Sequence, residues 1–516
     1  MKHTTLALLF VFLTTLHAAA VEPKRPINLL FIITDQQRWD ALGCMGNKIL
    51  KTPNLDKLAA QGARFTNFYT ACPVCAPART SILTGHSNEA NSVKGNNDID
   101  LPNVAPFPSF DQVLLRSGYK GEYHGKYHSP YHLALDYSEP VMWLNGKKVP
   151  EGSKAETSES DAFKTWLDKN VPKRELKPGE LTQSVGIYTP IELDERFGKA
   201  DAPKPSQAES YGRLEVPKEY SLTAFTAKNG LEALDRLKDG PFTLTISIGP
   251  PHPPMITPEP YYSMYPPQSI PAPASLNDAR TNSPYEDKND SPLYRRPLLI
   301  KQMKSIYYGM ITEADEWIGK ILARLDELKL TDNTLVIFTS DHGEMLGDHG
   351  MHGKFVFYEG SSHVNLLMRL PGVIKPNTVV TAPAGHIDLF PTILDYLERP
   401  GHESHGQSLR PLIEGRNTGK DRVAVSEWPA NALPGFMVCD GRYKFMFASK
   451  SGSRALDALY DLQNDPEELN NLIGKNPERA THRIEAERMK SLLMTWLERT
   501  KSQQIEDVRK RPVMAD

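Results

Sequence analysis

The sequence predicts an α/β protein built on a large mixed, mostly parallel sheet sandwiched by helices, with a smaller C-terminal α+β subdomain. Three observations carry this. Ile27 to Thr34 and Asn333 to Ser340 are continuous apolar, β-branched runs, as expected of strands buried on both faces of a parallel sheet. Apolar residues at helical spacing occupy the long stretch before the second run. From about residue 420 the pattern changes to short strands and then an amphipathic helix.

Taken in order, residues 1–20 begin with Lys2 and His3, continue with an apolar run from Leu6 to Leu16 and end in Ala18-Ala19-Ala20. That run is too short to span a bilayer and reads as a signal peptide, so the mature chain is expected to be periplasmic or secreted, without stable membrane insertion. Residues 21–419 are then the larger α/β domain and 420–516 the smaller subdomain. The first strand ends in Asp35-Gln36. A short helix is expected over Leu55–Gln61, closed by Gly62. Residues 150–215 are charged with no clear period and read as a surface insertion. Phe242 to Ile248 is a third buried strand running into Gly249-Pro250-Pro251-His252-Pro253, and the Pro-dense stretch 250–275 is expected to be irregular. A helix is expected over Leu299–Leu328, a short strand over Arg442–Phe447 and a last helix near 479–498.

With 60 Lys and Arg against 63 Asp and Glu, the formal charge is −3, which excludes a general attraction to nucleic acid. An anion site must be local. Four cysteines (Cys44, Cys72, Cys75, Cys439) are too few for a disulfide-built scaffold.

Ligands in open α/β sheets gather at the carboxyl ends of the strands. Here two strands stop in Asp35-Gln36 and in Asp341-His342, two pairs able to surround one cation. Residues 72–85 read Cys-Pro-Val-Cys-Ala-Pro-Ala-Arg-Thr-Ser-Ile-Leu-Thr-Gly. Pro77 suits the first turn of a helix, which puts Cys75 at a helix N-terminus where an anion is favoured, and Arg79 one turn on can offer a fork of donors. Three readings of this segment stand side by side: a buried structural Cys or a Cys72–Cys75 disulfide, a thiol–disulfide exchange site, and a nucleophile facing a tetrahedral oxyanion.

Cys75-Ala76-Pro77-Ala78-Arg79 followed by Thr84-Gly85 resembles the Cys-x-Pro-x-Arg…Thr-Gly element of the type I sulfatases, in the alkaline phosphatase-like superfamily. Asn28 to Trp39, Thr52 to Asp56, Gly125-Lys126-Tyr127-His128, Pro251-His252-Pro253, Ser340 to Lys354 and Tyr460-Asp461-Leu462 follow the family's order over most of the chain. The resemblance implies that Cys75 is oxidised to formylglycine (3-oxoalanine) by a maturation enzyme, and that its hydrate is the nucleophile. It implies divalent cation ligands at Asp35, Gln36, Cys75, Asp341 and His342, with Ca²⁺ expected and Mg²⁺ the alternative. It gives Arg79, Lys126 and Lys354 the sulfate charge, His252 the leaving alcohol and His128 the release of sulfate. Gln36 and His342 stand where the family usually has Asp and often Asn. His124, His349 and His352 are candidate substrate contacts, and Trp143 and Trp428 candidate sugar-stacking residues.

The function implied is an exported sulfuric ester hydrolase acting on a sulfated polysaccharide or oligosaccharide. The alternatives are a phosphonate or phosphate ester hydrolase of the same superfamily and a catalytically silent sulfoglycan-binding protein.

Overall fold

The computed structural model describes residues 26–100, 107–130, 143–144, 147–148, 159–191, 211–286, 292–428, 435–449 and 456–514. The expected signal peptide, residues 150–158 and 192–210 of the 150–215 insertion and the side chain of Trp143 lie outside the described residues.

The strands of the main sheet are β1 (Asn28–Asp35), β2 (Ala63–Phe65), β3 (Lys120–Gly125), β4 (Trp143–Leu144), β5 (Lys147–Lys148), β6 (Phe242–Pro251), β7 (Thr334–Ser340), β8 (Leu366–Arg369) and β9 (Thr378–Val380). They lie in the order β9-β2-β8-β7-β1-β6-β3-β4-β5. At the centre β1 runs parallel to β7, with Thr34 opposite Ser340, and parallel to β6 on its other side. β6 runs parallel to β3, with Ser247 opposite Gly125. Only β8, against β7 and β2, and the β4–β5 pair are antiparallel. The sheet is mixed and mostly parallel, as the sequence predicts.

Alternate residues explain why the central runs are apolar throughout. Leu29, Phe31 and Ile33 join Leu335, Ile337, Phe110, Ile82 and Phe390 in one core, while Leu30 and Ile32 join Val336, Phe338, Leu234, Ile318 and Leu58 in a core on the opposite face. The covering helices are α1 (Pro53–Ala60), α2 (Cys75–Thr84), α3 (Phe110–Arg116), α4 (Leu222–Leu237), α5 (Pro297–Glu327) and α6 (Leu389–Tyr396). α1 starts two residues before the expected Leu55. Its first amides find no local cap; Asp315 of α5 accepts from Asn54 N–H at 3.1 Å and Leu55 N–H at 2.8 Å.

Two expectations need correction. The 150–215 region holds a helix at Glu159–Asn170 and strands at Leu181–Gln183, Gly186–Pro190 and Tyr211–Leu214, because Phe163 and Trp166 pack on Phe225 of α4. The Pro-dense stretch is also less irregular than expected. β6 continues through Pro250 to Pro251, and Met255–Pro258 pairs in parallel with Tyr211–Leu214 at the border of a small second sheet.

A separate antiparallel sheet follows: β10 (Ala424–Glu427), β11 (Phe436–Cys439), β12 (Tyr443–Phe447) and β13 (Ala458–Asp461). Helix α7 (Arg483–Arg499) lays Met489, Leu493, Trp496 and Leu497 on Phe436, Phe445 and Phe447 of this sheet. Among the described residues no helix is long and apolar enough to cross a membrane.

Candidate active site

Because β1 and β7 are parallel neighbours in register, their carboxyl ends deliver Asp35 and Asp341 side by side. Both are fully buried. The turn after β1 puts Gln36 at φ +68°, a left-handed conformation held by its N–H donating to Asp341 Oδ1 at 3.0 Å and by Tyr307 Oη–H donating to its carbonyl at 2.7 Å. The turn after β3 needs glycine: Gly125 lies at φ +100°, and a Cβ there would sit 1.8 Å from the Ser247 carbonyl oxygen. That turn brings Lys126 and His128 to the same end of the sheet.

Helix α2 is buried along its whole length and starts at Cys75. The thiol meets Lys354 Nζ at 3.0 Å and His342 Nε2 at 3.1 Å, and Asp35 Oδ1 lies 3.9 Å away. His128 is among the groups that lower the same thiol. Burial alone would raise this thiol, but Lys126, Lys354 and His342 outweigh it and hold the group well below its usual range. Lys126 Nζ donates to Asp35 Oδ2 at 2.5 Å, and Lys354 Nζ donates to Gln36 Oε1 at 2.9 Å. Asp35 is driven down against its burial and the nearby Cys75 by Lys126, His252 and Lys354. Asp35, Asp341 and the lowered Cys75 thiol face Arg79, Lys126 and Lys354, so the charges of the buried pocket are matched three against three.

Arg79 takes a different place from the one its spacing suggests. Its guanidinium is 3% exposed and four of its five N–H donors have acceptors: Nε on Asp341 Oδ2 at 2.8 Å, one Nη on Asp35 Oδ2 at 3.2 Å, and the other on Ser247 Oγ and the Lys126 carbonyl, each at 2.8 Å. The fork grips the two carboxylates rather than standing open to an anion.

One atom each from Asp35, Cys75, Asp341 and His342 lies within 4.8 Å of the others. His342 Nδ1 is 3.0 Å from the Gly343 carbonyl and Nε2 faces the cluster; a neutral ring with Nδ1–H donating to that carbonyl would turn its Nε2 lone pair toward a cation. Asp341 Oδ1 is 3.5 Å and Asp35 Oδ1 3.8 Å from that nitrogen. This donor set, two buried carboxylate oxygens and an imidazole nitrogen beside residue 75, fits a divalent cation. His252, half-buried on the loop after β6, holds Nδ1 against the Pro253 carbonyl at 2.7 Å.

The three candidate substrate-contact histidines are engaged elsewhere. His124 is fully buried on Glu122 at 2.9 Å, His349 pairs with Asp278 at 2.7 Å and stacks on Tyr358, and His352 meets the edge of Tyr294. Trp428 packs on Phe355, 5.4 Å between rings. All four cysteines are free thiols, so Cys72 and Cys75 form no disulfide. Three residues of the site carry no mark in the sequence: Ser247, which steadies Arg79; Asn96, whose Oδ1 accepts the Ala76 N–H at 3.1 Å at the start of α2; and Glu344, which accepts from the Gln36 amide.

A mostly parallel sheet with residue 75 and a carboxylate pair at its carboxyl edge is the arrangement of a ligand site in an open α/β fold, and the matches that follow place it in the alkaline phosphatase-like superfamily. The profile described as Sulfatase matches residues 27–398, and one described as N-sulphoglucosamine sulphohydrolase, C-terminal, matches 347–495. The chain belongs to the sulfatase family, and it is a sulfuric ester hydrolase. It is 29% identical to an arylsulfatase of Clostridium perfringens, over 89% of this chain and 92% of that one. It is 27% identical to an N-acetylglucosamine-6-O-sulfatase of Bacteroides thetaiotaomicron, over 93% and 87%. Among solved structures, a phosphonate monoester hydrolase of Agrobacterium radiobacter superposes with a TM-score of 0.69 at 26% identity, covering 92% of this chain and 96% of that one.

Proposed function

We propose that the protein is an exported sulfatase that removes sulfate from a sulfated carbohydrate, with residue 75 oxidised to formylglycine and its hydrate as nucleophile. The observation that carries this reading is the position of Cys75: a buried helix start with Lys354 and His342 within 3.1 Å of the atom that stands where the nucleophilic oxygen would be. A reactive thiol needs no such carboxylate pair beside it, whereas an oxyanion that attacks sulfur needs charge on all sides. The named activity of the Bacteroides relative supports a sugar sulfate.

In this reading Asp35, Asp341, His342 and Gln36 would hold a divalent cation beside residue 75. When bound, the cation supplies Lewis acidity toward the sulfate and favours the ionised hydrate. Ca²⁺ was the expectation from hard oxygens alone, but the His342 nitrogen aimed into the cluster favours an ion that accepts nitrogen, such as Mn²⁺. Arg79 fixes the two carboxylates. Lys126 and Lys354 balance the charge of the sulfate ester. As the S–O bond to the sugar breaks, His252 gives a proton to the departing oxygen; His128, on the Cys75 side, then takes a proton from the remaining hydroxyl of residue 75 as sulfate leaves.

The likeness to the phosphonate monoester hydrolase, together with Gln36 in place of an acid, favours a second reading in which phosphonate or phosphate esters are the better substrates. Measuring sulfate and phosphate release from matched aryl esters decides between them. The sulfatase reading requires sulfate release to dominate, and dominant phosphate release would overturn it.

A further inference from the structure

We infer that Glu344 is a positioning residue that decides which end of the Gln36 amide faces residue 75. An acid at position 36 would present oxygen to the site whichever way it turned. A glutamine has one oxygen and one NH₂, so it needs a partner that chooses between them. Glu344 is 1% exposed, on the loop after β7. Its Oε1 accepts the N–H groups of Leu346 at 3.1 Å and Gly353 at 2.5 Å. Its Oε2 accepts from Gln36 Nε2. A carboxylate only accepts, so the NH₂ is drawn to Glu344 and Oε1 is left facing Lys354 Nζ at 2.9 Å. The Gln36 backbone is fixed on both sides by Asp341 and Tyr307, which leaves the amide flip as the freedom Glu344 removes. In the flipped amide NH₂ would point at an ammonium group and at the cation position. The same carboxylate also holds Gly353, the neighbour of Lys354, so one buried acid orients two groups of the pocket.

This assignment rests on the reading of Gln36 as part of the catalytic pocket, and its test is a charge exchange. In Glu344→Gln the two backbone N–H groups keep the new amide oxygen, its NH₂ faces residue 36, and Gln36 must turn. The expected result is a kcat on an aryl sulfate lower by about 10- to 100-fold, the worth of a hydrogen bond to a charged group, with Mn²⁺ affinity by calorimetry weakened about tenfold or more. In the double variant Gln36→Glu/Glu344→Gln, the carboxylate introduced at position 36 accepts from the amide introduced at position 344 with one oxygen and from Lys354 with the other. Most of the lost kcat and Mn²⁺ affinity should then return. A purely structural role for Glu344 would not be relieved by a change at residue 36. Glu344→Gln within about twofold of wild type, or a double variant as impaired as the single one, would overturn the assignment. Should Glu344→Gln fail to fold, recovery of folding in the double variant supports the coupling, and a double variant that also fails to fold contradicts it. Should the wild type release no sulfate, the proposed function fails, and the calorimetric comparison still decides the role of Glu344.

Discussion

Replacing Lys354 with Met removes one charge from the pocket while keeping most of the volume of a side chain that is 6% exposed. Its ammonium lies 3.0 Å from the nucleophile position and 2.9 Å from Gln36 Oε1. At that separation, with an effective dielectric near 20, a unit charge pair is worth about 5.5 kcal/mol. That figure is a ceiling, because only the part of the attraction that grows on the way to the transition state enters kcat. A single donor aimed at developing charge is worth about 3 to 4 kcal/mol, or roughly 10² to 10³ in rate. Lys354→Met should therefore lower kcat/KM for a nitrophenyl sulfate by roughly 10² to 10³. The fold should survive, since Asp35 and Asp341 still face Arg79 and Lys126 and no buried charge is stranded. Steady-state kinetics beside a thermal melt would show both. A loss below about threefold with the fold intact would refute a charge-balancing role for this lysine.

His252→Asn should separate substrates by leaving group. The loss should be about 10²-fold or more for a sugar sulfate, whose alkoxide needs a proton, and much smaller for a nitrophenyl sulfate; equal losses would remove the acid role from His252. Chelation should abolish turnover, with Mn²⁺ restoring it better than Ca²⁺; full recovery with Ca²⁺ and none with Mn²⁺ would contradict nitrogen ligation by His342. Glu427 gives a pH signature in stability. Its burial and the nearby Glu89 raise its carboxyl to about 8, so the folded chain keeps a proton that the unfolded chain has released. Between pH 5 and 8 the wild type should lose stability relative to Glu427→Gln by up to about 1.4 kcal/mol per pH unit, read by denaturant melts; a gap that does not change with pH would refute it.

The central strands were legible because a strand covered on both faces has no polar alternation to confuse it. Asp35 and Asp341 stood out for the same reason, as acids ending apolar runs. Cys75 was legible from its own segment, Pro77 and Arg79 included. What Arg79 does was not, because its partners Asp35, Asp341 and Ser247 are 44, 262 and 168 residues away and meet it only through the β1–β7 and β6–β3 registers. Glu344 was hidden in the same way: nothing distinguishes it from a surface glutamate until the loop folds it onto Gln36. The strand at Met255–Pro258 was missed because prolines mask a short border pairing, and the helix at Glu159–Asn170 because Phe163, Trp166 and Leu167 are too few to set a period. His349 and His352 share their segment with Lys354, yet Asp278 and Tyr294 hold them.

The central claim is that residue 75 acts as an aldehyde hydrate, and the most direct test is a mass spectrum of the peptide carrying it, from protein made in a host with the maturation enzyme. The expected peptide is lighter than the thiol form by the change from a CH₂SH to a CHO side chain. An unmodified thiol in protein that nevertheless releases sulfate at full rate would contradict the account.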